Sequence, residues 1–349
     1  MCRENARFYE GKTEFRANRA SAFEIRNYYS NFVDAKGLRP YFRNRSLVTS
    51  INRVNGRLVN ADCESGEEMD AGAFCGNQLM WEVVGKREIC NPKTGKSEME
   101  SFCYLTPSVV LANGAFDLPN VLRVPGEDLP YILHSLPELD GRIRRGKIAK
   151  NGDPVVVIGA GLSAADAILH ARSADLPVAH IFRQWGHDPL AVFRQLPPTL
   201  YPEYDAVHRL MRLSGDQSTG GEYASFPAAS IVEFTANNEV VLKLENSDEL
   251  VVIRASYVVI LIGSRPNLTF LNGDELKIGR VPGVTIDGKR NPVDVDAYTY
   301  QSTRRPGLYA VGPLVGDNFV RFLRGGAIGV AAHIWSNQKQ PPCVTTTKP

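Results

Sequence analysis

The sequence predicts an α/β protein in which two related nucleotide-binding domains are interleaved, one inserted into the other. Three observations predict it. A strand pattern runs into a glycine turn and an alanine-rich helix at Pro154–Asp166, an antiparallel meander followed by an apolar strand and a turn occupies residues 78–116, and the same order recurs at residues 231–267. Each segment reads as a supersecondary unit, and their order places one unit within the other.

The glycine turn is the most specific of these. Val155, Val156, Val157 and Ile158 are four β-branched residues, the composition of a strand covered on both faces. Gly159 permits the tight turn, Gly161 lets a pyrophosphate approach the main chain, and small Ala164 lets the helix pack on the sheet. Ser163 lies in the first turn of that helix, whose N–H groups and positive dipole end face the phosphates. The next strand, Pro177–Phe182, ends in Arg183 where an NAD-binding unit tends to place a carboxylate. An arginine there favours a 2′-phosphate, so the coenzyme expected is NADPH with Arg183 as its reader.

Earlier in the chain, residues 14–36 read as a helix with Phe15, Phe23, Tyr28, Tyr29, Phe32 and Val33 on an apolar face, stopped by Gly37. Leu47–Val54 reads as a strand and the small, acidic residues 60–77 as a loop. Gln78–Val84, Arg87–Cys90 and Met99–Tyr104 alternate as a meander, turning through Asn91–Lys96, before Val109–Leu111. That strand ends in Asn113-Gly114, similar to the Ala-Thr-Gly turn beside the nucleotide in two-dinucleotide flavoproteins. A second such turn follows Tyr257–Ile262 at Gly263. Between fingerprint and second turn lie a helix at Tyr201–Leu213, a loop at 214–221, and strands Ile231–Thr235, Glu239–Leu244 and Leu250–Arg254.

Near the C-terminus a strand meets Gly312-Pro313-Leu314-Val315-Gly316-Asp317, and Arg321–Trp335 reads as a helix. In two-dinucleotide flavoproteins a strand, a Gly-Asp turn and a helix of this kind close over the flavin, the Asp holding the ribityl chain. Pro313 occupies the usual Asp position here, leaving Asp317 as the candidate. The expected fold class is therefore α/β, a two-dinucleotide-binding-domain flavoprotein architecture, with an NADPH Rossmann-like domain (151–265) inserted in an incomplete FAD domain (1–150 and 266–349).

Composition narrows the function classes. With 349 residues, 43% hydrophobic and 22% charged, the chain can bury a sizeable core, and a net charge of +2 gives no case for a nucleic-acid partner. No apolar run reaches membrane-span length and no signal segment opens the chain, so a cytoplasmic location is expected. The six cysteines are scattered, with no Cys-x-x-Cys and no Cys/His cluster at metal-ligand spacing, so no metal is expected. A disulfide reductase passing electrons through a protein dithiol is disfavoured on the same ground.

Gly159–Asp166, Phe193–Pro197, Leu200-Tyr201-Pro202-Glu203-Tyr204 and Gly312–Phe322 together resemble the oxidative-stress-induced growth inhibitor family, over most of the chain from the Tyr28-Tyr29 helix to about Trp335. That family is similar to flavin-containing monooxygenases. A weaker echo of the monooxygenase identifying sequence falls at Pro125-Gly126 and His134-Ser135, with a longer spacing. The resemblance implies FAD and NADPH as cofactors. Gly159, Gly161, Ser163, Ala164 and Arg183 would hold NADPH, and Asn113, Gly114, Gly312 and Asp317 would line the flavin. It also implies a link to restraint of growth and to differentiation.

The family's N-terminal Gly-x-Gly-x-x-Gly unit has no counterpart here, so an incomplete sequence is expected, inactive on its own, with the catalytic residues unassigned. The alternatives are a regulatory scaffold that keeps the nucleotide fold without oxidation and, behind it, a pyridine nucleotide-disulfide oxidoreductase. The substrate, the partners in growth control and the oligomeric state are not identified by the residues.

Overall fold

The computed structural model describes residues 22–56, 78–90, 97–189, 191–212, 222–318 and 320–338. The loops expected at 60–77 and 214–221, the turn at 91–96 and four of the cysteines lie outside them. In chain order the first elements are α1 (Ala22–Ala35), β1 (Ser46–Gly56), β2 (Gln78–Cys90), β3 (Ser97–Thr106), β4 (Val109–Leu111), β5 (Leu118–Pro119) and β6 (Ile132–Leu133). Then come α2 (Leu136–Arg144), β7 (Val155–Ile158), α3 (Leu162–Ser173), β8 (Val178–Ile181), α4 (Pro202–Met211) and β9 (Tyr223–Phe226). The last are β10 (Ala229–Phe234), β11 (Glu239–Leu244), β12 (Leu250–Arg254), β13 (Tyr257–Ile260), β14 (Ser264–Arg265), β15 (Leu308–Ala310) and α5 (Val320–Gln338).

The chain divides into two compact units, each assembled from separated segments: Met1–Ala35 with Pro119–Gly263, and Lys36–Leu118 with Ser264–Pro349. Segment 119–150, placed with the first domain by sequence, supplies β6 and α2 to the unit that carries the glycine turn. The physical reason is pairing: Ile132 and Leu133 stand beside Val258 and Val259 in a parallel ladder.

In this first unit five parallel strands run in the order β6-β13-β7-β8-β9. Parallel strands need both faces covered. Val155, Val157, Val178 and Phe182 pack with Ala164, Ala165, Ala167, Ile168 and Ala171 of α3 and with Tyr204 and Val207 of α4. Val156, Ile158, Ala179 and Ile181 pack with Val240 and Leu242 of the antiparallel meander β10-β11-β12. All four β7 side chains are buried, each contributing about 1.5–3 kcal/mol of apolar burial. Helix α2 starts at a capping box in which Glu138 N donates to Ser135 Oγ and Ser135 N to Glu138 Oε2.

The second unit holds the antiparallel meander β1-β2-β3 and the parallel pair β4-β15. β2 runs unbroken through Gly85, where two strands were expected, because its missing Cβ would stand 2.4 Å from Leu47 O. Trp81 is buried and donates from Nε1 to Pro306 O at 3.3 Å. Ile51, Leu111, Ile278, Ile286, Leu308 and Leu314 join it in one core. β5 and β14 mark where the chain passes between units. No helix is long and apolar enough to cross a membrane, and no group of metal-ligating side chains gathers among the described residues.

Candidate nucleotide-binding site

The fingerprint residues converge at the carboxyl edge of the parallel sheet. Gly159 follows β7 with φ +133°, and a Cβ there would lie 2.3 Å from Leu261 O at the end of the neighbouring strand. Only glycine fits that approach. Gly161 is the N-cap of α3; no side chain caps it, and a Cβ added there would meet open space. Ser163 is exposed in the first turn, and Ala164 is buried against the sheet. Gly159 N donates to Ile181 O at 3.0 Å, so exposed Arg183 stands at the same edge, two residues beyond that rung. The strand order reverses about β7, the position at which open α/β sheets take their ligands. A groove between Lys150, Arg172, Asp175 and Glu222 lies at the opposite, amino edge, and its charges are already paired at 2.6 Å and 3.6 Å.

Sequence reasoning missed the side chain that holds the turn. His180 in β8 is buried; its Nε2 stands 2.7 Å from Gly159 O and its Nδ1 2.8 Å from Tyr223 Oη. A carbonyl only accepts, so Nε2 carries the hydrogen and Nδ1 accepts from the Tyr223 hydroxyl. Burial pushes the His180 pKa down to about 4, partly offset by the Gly159 bond, and burial likewise raises that of Tyr223. The imidazole is therefore neutral and holds the carbonyl of the first fingerprint glycine. Alternation alone marks His180 as a strand residue and carries no signal of this contact.

The Phe193–Pro197 and Leu200–Tyr204 blocks also have a structural role. Phe193 and Tyr204 are buried with ring centroids 6.2 Å apart, and Tyr204 Oη donates to Asp166 Oδ1 of α3 at 3.1 Å. Pro202 opens α4, where its missing N–H costs nothing. These blocks brace the outer side of the fingerprint helix. The Pro125-Gly126 and His134-Ser135 echo has local causes as well: a Cβ at Gly126 would lie 2.1 Å from Phe234 O, and Ser135 caps α2.

In the second unit, Asn113-Gly114 follows β4 and Gly312 follows β15. Ala310 pairs with Leu111, and Val311 N donates to Leu111 O at 3.1 Å, so both turns leave one edge of the parallel pair. Asn113 is exposed; Gly114 takes φ +77° with open space at its missing Cβ. Gly312 takes φ +71° and is buried. Asp317 N donates to Gly312 O, and Asp317 Oδ2 accepts from Tyr300 Oη at 3.1 Å. Burial, and then Asp317, raise the Tyr300 pKa, keeping it a donor. A Cβ at Gly329 of α5 would lie 2.2 Å from Tyr298 O, so a small residue is needed where the Tyr298–Tyr300 loop crosses that helix.

Residues 96–312 match the family model described as pyridine nucleotide-disulphide oxidoreductase. The chain belongs to that family. Oxidative stress-induced growth inhibitors 1 and 2 of Homo sapiens are respectively 40% identical over 332 residues and 36% identical over 338. Each alignment covers 94% of this chain, and the chain spans about two thirds, 65%, of each relative's length. These relatives bear out the resemblance carried by the fingerprint, Leu200–Tyr204 and Gly312–Phe322. Among solved structures, bacillithiol disulfide reductase from Bacillus cereus superposes with a TM-score of 0.60 at 20% identity, covering 93% of this chain and 80% of that one. Ornithine hydroxylase from Pseudomonas aeruginosa gives 0.54 at 16%, covering 90% and 76%. The fold is thus the expected two-dinucleotide-binding flavoprotein architecture, FAD and NAD(P)H are the cofactors this family indicates, and the chain is a flavin oxidoreductase-like protein. Since one neighbour is a reductase and the other a hydroxylase, fold alone does not choose between reactions.

Proposed function

We propose that this chain carries the NADPH site of a monooxygenase-like flavin enzyme of the growth-inhibitor type. The residues at that site would be Gly159, Gly161, Ser163, Ala164 and Arg183. The observation that carries the reading is one edge of one sheet: an open glycine turn, a helix start without a side-chain cap and an exposed arginine lie at the carboxyl ends of adjacent strands β7 and β8. A pyrophosphate fits over Gly161, where a Cβ would meet nothing, and the α3 N–H groups point toward it. Arg183, exposed past β8, suits a 2′-phosphate.

For the flavin, Asn113, Gly114, Gly312 and Asp317 are the proposed lining. Open Gly114 allows close approach of a ligand to backbone, and the Tyr300 hydroxyl holds Asp317 Oδ2, so that the carboxylate would be available to accept from a ribityl hydroxyl. Bound flavin supplies hydride acceptance and activation of dioxygen. The protein's own part is to fix the pyridine coenzyme by its phosphates and to hold the turn rigid through His180. The domains proposed are an NADPH-binding part centred on 151–265 and an FAD-binding part on either side of it, and growth restraint is the cellular role proposed from the relatives.

Disulfide reduction through a protein dithiol is the second reading, suggested by the bacillithiol disulfide reductase likeness. The thiols of the described residues speak against it. Cys103 pairs with Val84 and Cys90 with Ser97, which sets the two thiols six rungs apart, about 20 Å along the meander.

The coenzyme choice is testable at Arg183. Replacing it with glutamate removes a phosphate partner and adds repulsion, so the NADPH-to-NADH affinity ratio is expected to fall on the order of 100-fold. Equilibrium titration of both coenzymes against each form measures it, and an unchanged ratio would show that Arg183 is not the reader. NADPH-dependent oxygen uptake without thiol consumption separates monooxygenase chemistry from disulfide reduction. Coenzyme binding with neither activity would leave the scaffold role.

A further inference from the structure

We propose that Trp185 is the platform on which the adenine of the coenzyme stacks, so that Arg183 and Trp185 together form a 2′-phosphoadenosine site. This rests on the reading of Gly159–Ala164 and Arg183 given above and adds a residue that the fingerprint does not contain.

The geometry starts from the course of the chain past β8. Phe182 N donates to Phe226 O, Phe182 O accepts from Ala229 N, and Gln184 O accepts from Ala228 N, so the chain is held at the sheet edge while it bends at Arg183 and Gln184. Val178 and Phe182 pack into the core on the α3 and α4 side, while Ala179 and Ile181 pack into the core under the meander. Past β8, Arg183 and Trp185 are both exposed and only two residues apart, so their Cα atoms lie within about 7 Å of each other. A guanidinium and an indole in that relation match the 2′-phosphate and the base of a single nucleoside. Both lie beyond the rung at which Gly159 binds Ile181 O, where the adenosine end of a dinucleotide extends from its pyrophosphate.

Three further features make the indole a platform rather than a loose surface residue. Gly186 is seated so closely that a Cβ would lie 2.2 Å from Met211 O, which fixes the turn against the end of α4. Asp188 N donates to Trp185 O at 3.0 Å, closing that turn. The His187 ring stands 6.2 Å from the indole at an interplanar angle of 27°, backing it on one side. Trp185 nevertheless keeps 40% of its surface exposed, whereas the similarly sized Trp81 keeps 2%. An aromatic plane held by backbone contacts and open to solvent is what base stacking requires.

The test is titration of the full chain with adenosine 2′,5′-bisphosphate, followed by calorimetry and by tryptophan emission. Wild type is expected to bind with quenching. Trp185→Ala should weaken binding by about 10-fold to 100-fold, and Trp185→Phe, which keeps a ring, by no more than about threefold while abolishing the quench. Thermal midpoints of the three forms should agree, since the indole is half exposed. An unchanged dissociation constant in Trp185→Ala, with Arg183→Glu still weakened, would overturn the stacking role and leave the coenzyme reading in place. Failure of wild type to bind the bisphosphate would overturn both.

Discussion

Alanine at Gly159 is expected to destabilise the protein by at least about 3 kcal/mol, lowering the thermal midpoint on the order of 10 °C, and to abolish coenzyme binding. Two effects add. The residue holds φ +133°, which side chains rarely adopt, and the new Cβ would lie 2.3 Å from Leu261 O, a backbone atom of the adjacent strand. Relief requires β7 and β13 to separate at their carboxyl ends, where the proposed pyrophosphate contacts begin. Gly161→Ala is the matched control. Gly161 has φ −96° and ψ 179°, which any residue adopts, and open space at Cβ, so its replacement should cost under about 1 kcal/mol as an N-cap change. It should still weaken NADPH binding about tenfold or more, because the methyl occupies the proposed path of the pyrophosphate. Thermal melts and titrations on the pair separate fold from ligand. Equal loss of stability in both, or undiminished NADPH binding by Gly161→Ala, would contradict the division of labour.

His180→Leu is expected to cost about 2–4 kcal/mol, because the Gly159 carbonyl loses its donor and the buried Tyr223 hydroxyl its acceptor. The same histidine gives stability a pH dependence with a defined sign. Its pKa is about 4 folded and near 6.5 unfolded, so between those values the unfolded chain binds the extra proton. Stability from this group is fully present above about pH 6.5 and is lost as pH falls toward 4, amounting to about 3 kcal/mol. Burial and Arg212 lower the pKa of His208 too, so the wild-type slope includes a second contribution of the same sign. Subtraction isolates the first. His180→Gln does not titrate, so its urea midpoint should change less than that of wild type between pH 7 and pH 4.5. Identical pH profiles for the two proteins would show that His180 is not buried neutral beneath the turn.

The parts of this site that were legible in the sequence are those encoded contiguously. Four β-branched residues followed by Gly159, Gly161 and Ala164 specify a doubly covered strand, a tight turn and a closely packed helix. The structure has β7, the turn and α3 at those positions. The strands expected at Glu239–Leu244 and Leu250–Arg254 coincide with β11, which carries the buried apolar run Val240–Leu242, and with β12, whose residues alternate between exposed and half-buried. By contrast β6 has two residues and β9 four, too short for any periodicity, and both are strands only because parallel neighbours pair with them. Helix α2 was not among the expected elements, although Ser135-x-x-Glu138 and Pro137 mark its start locally. His180 and Tyr223 are 43 residues apart and meet only after β8 and β9 pair, so no window of sequence holds their bond. The same holds for Tyr300 and Asp317, 17 residues apart with β15 between them. What the residue pattern carried was the cradle, and what it could not carry was the side chains that lock it.

The most direct measurement is calorimetric titration of the full chain with NADPH and, separately, with NADH. Saturable one-site binding of NADPH, with NADH at least about tenfold weaker, is the predicted result. No binding of either coenzyme, or equal affinity for both, would contradict a 2′-phosphate-reading site at the carboxyl edge of this sheet.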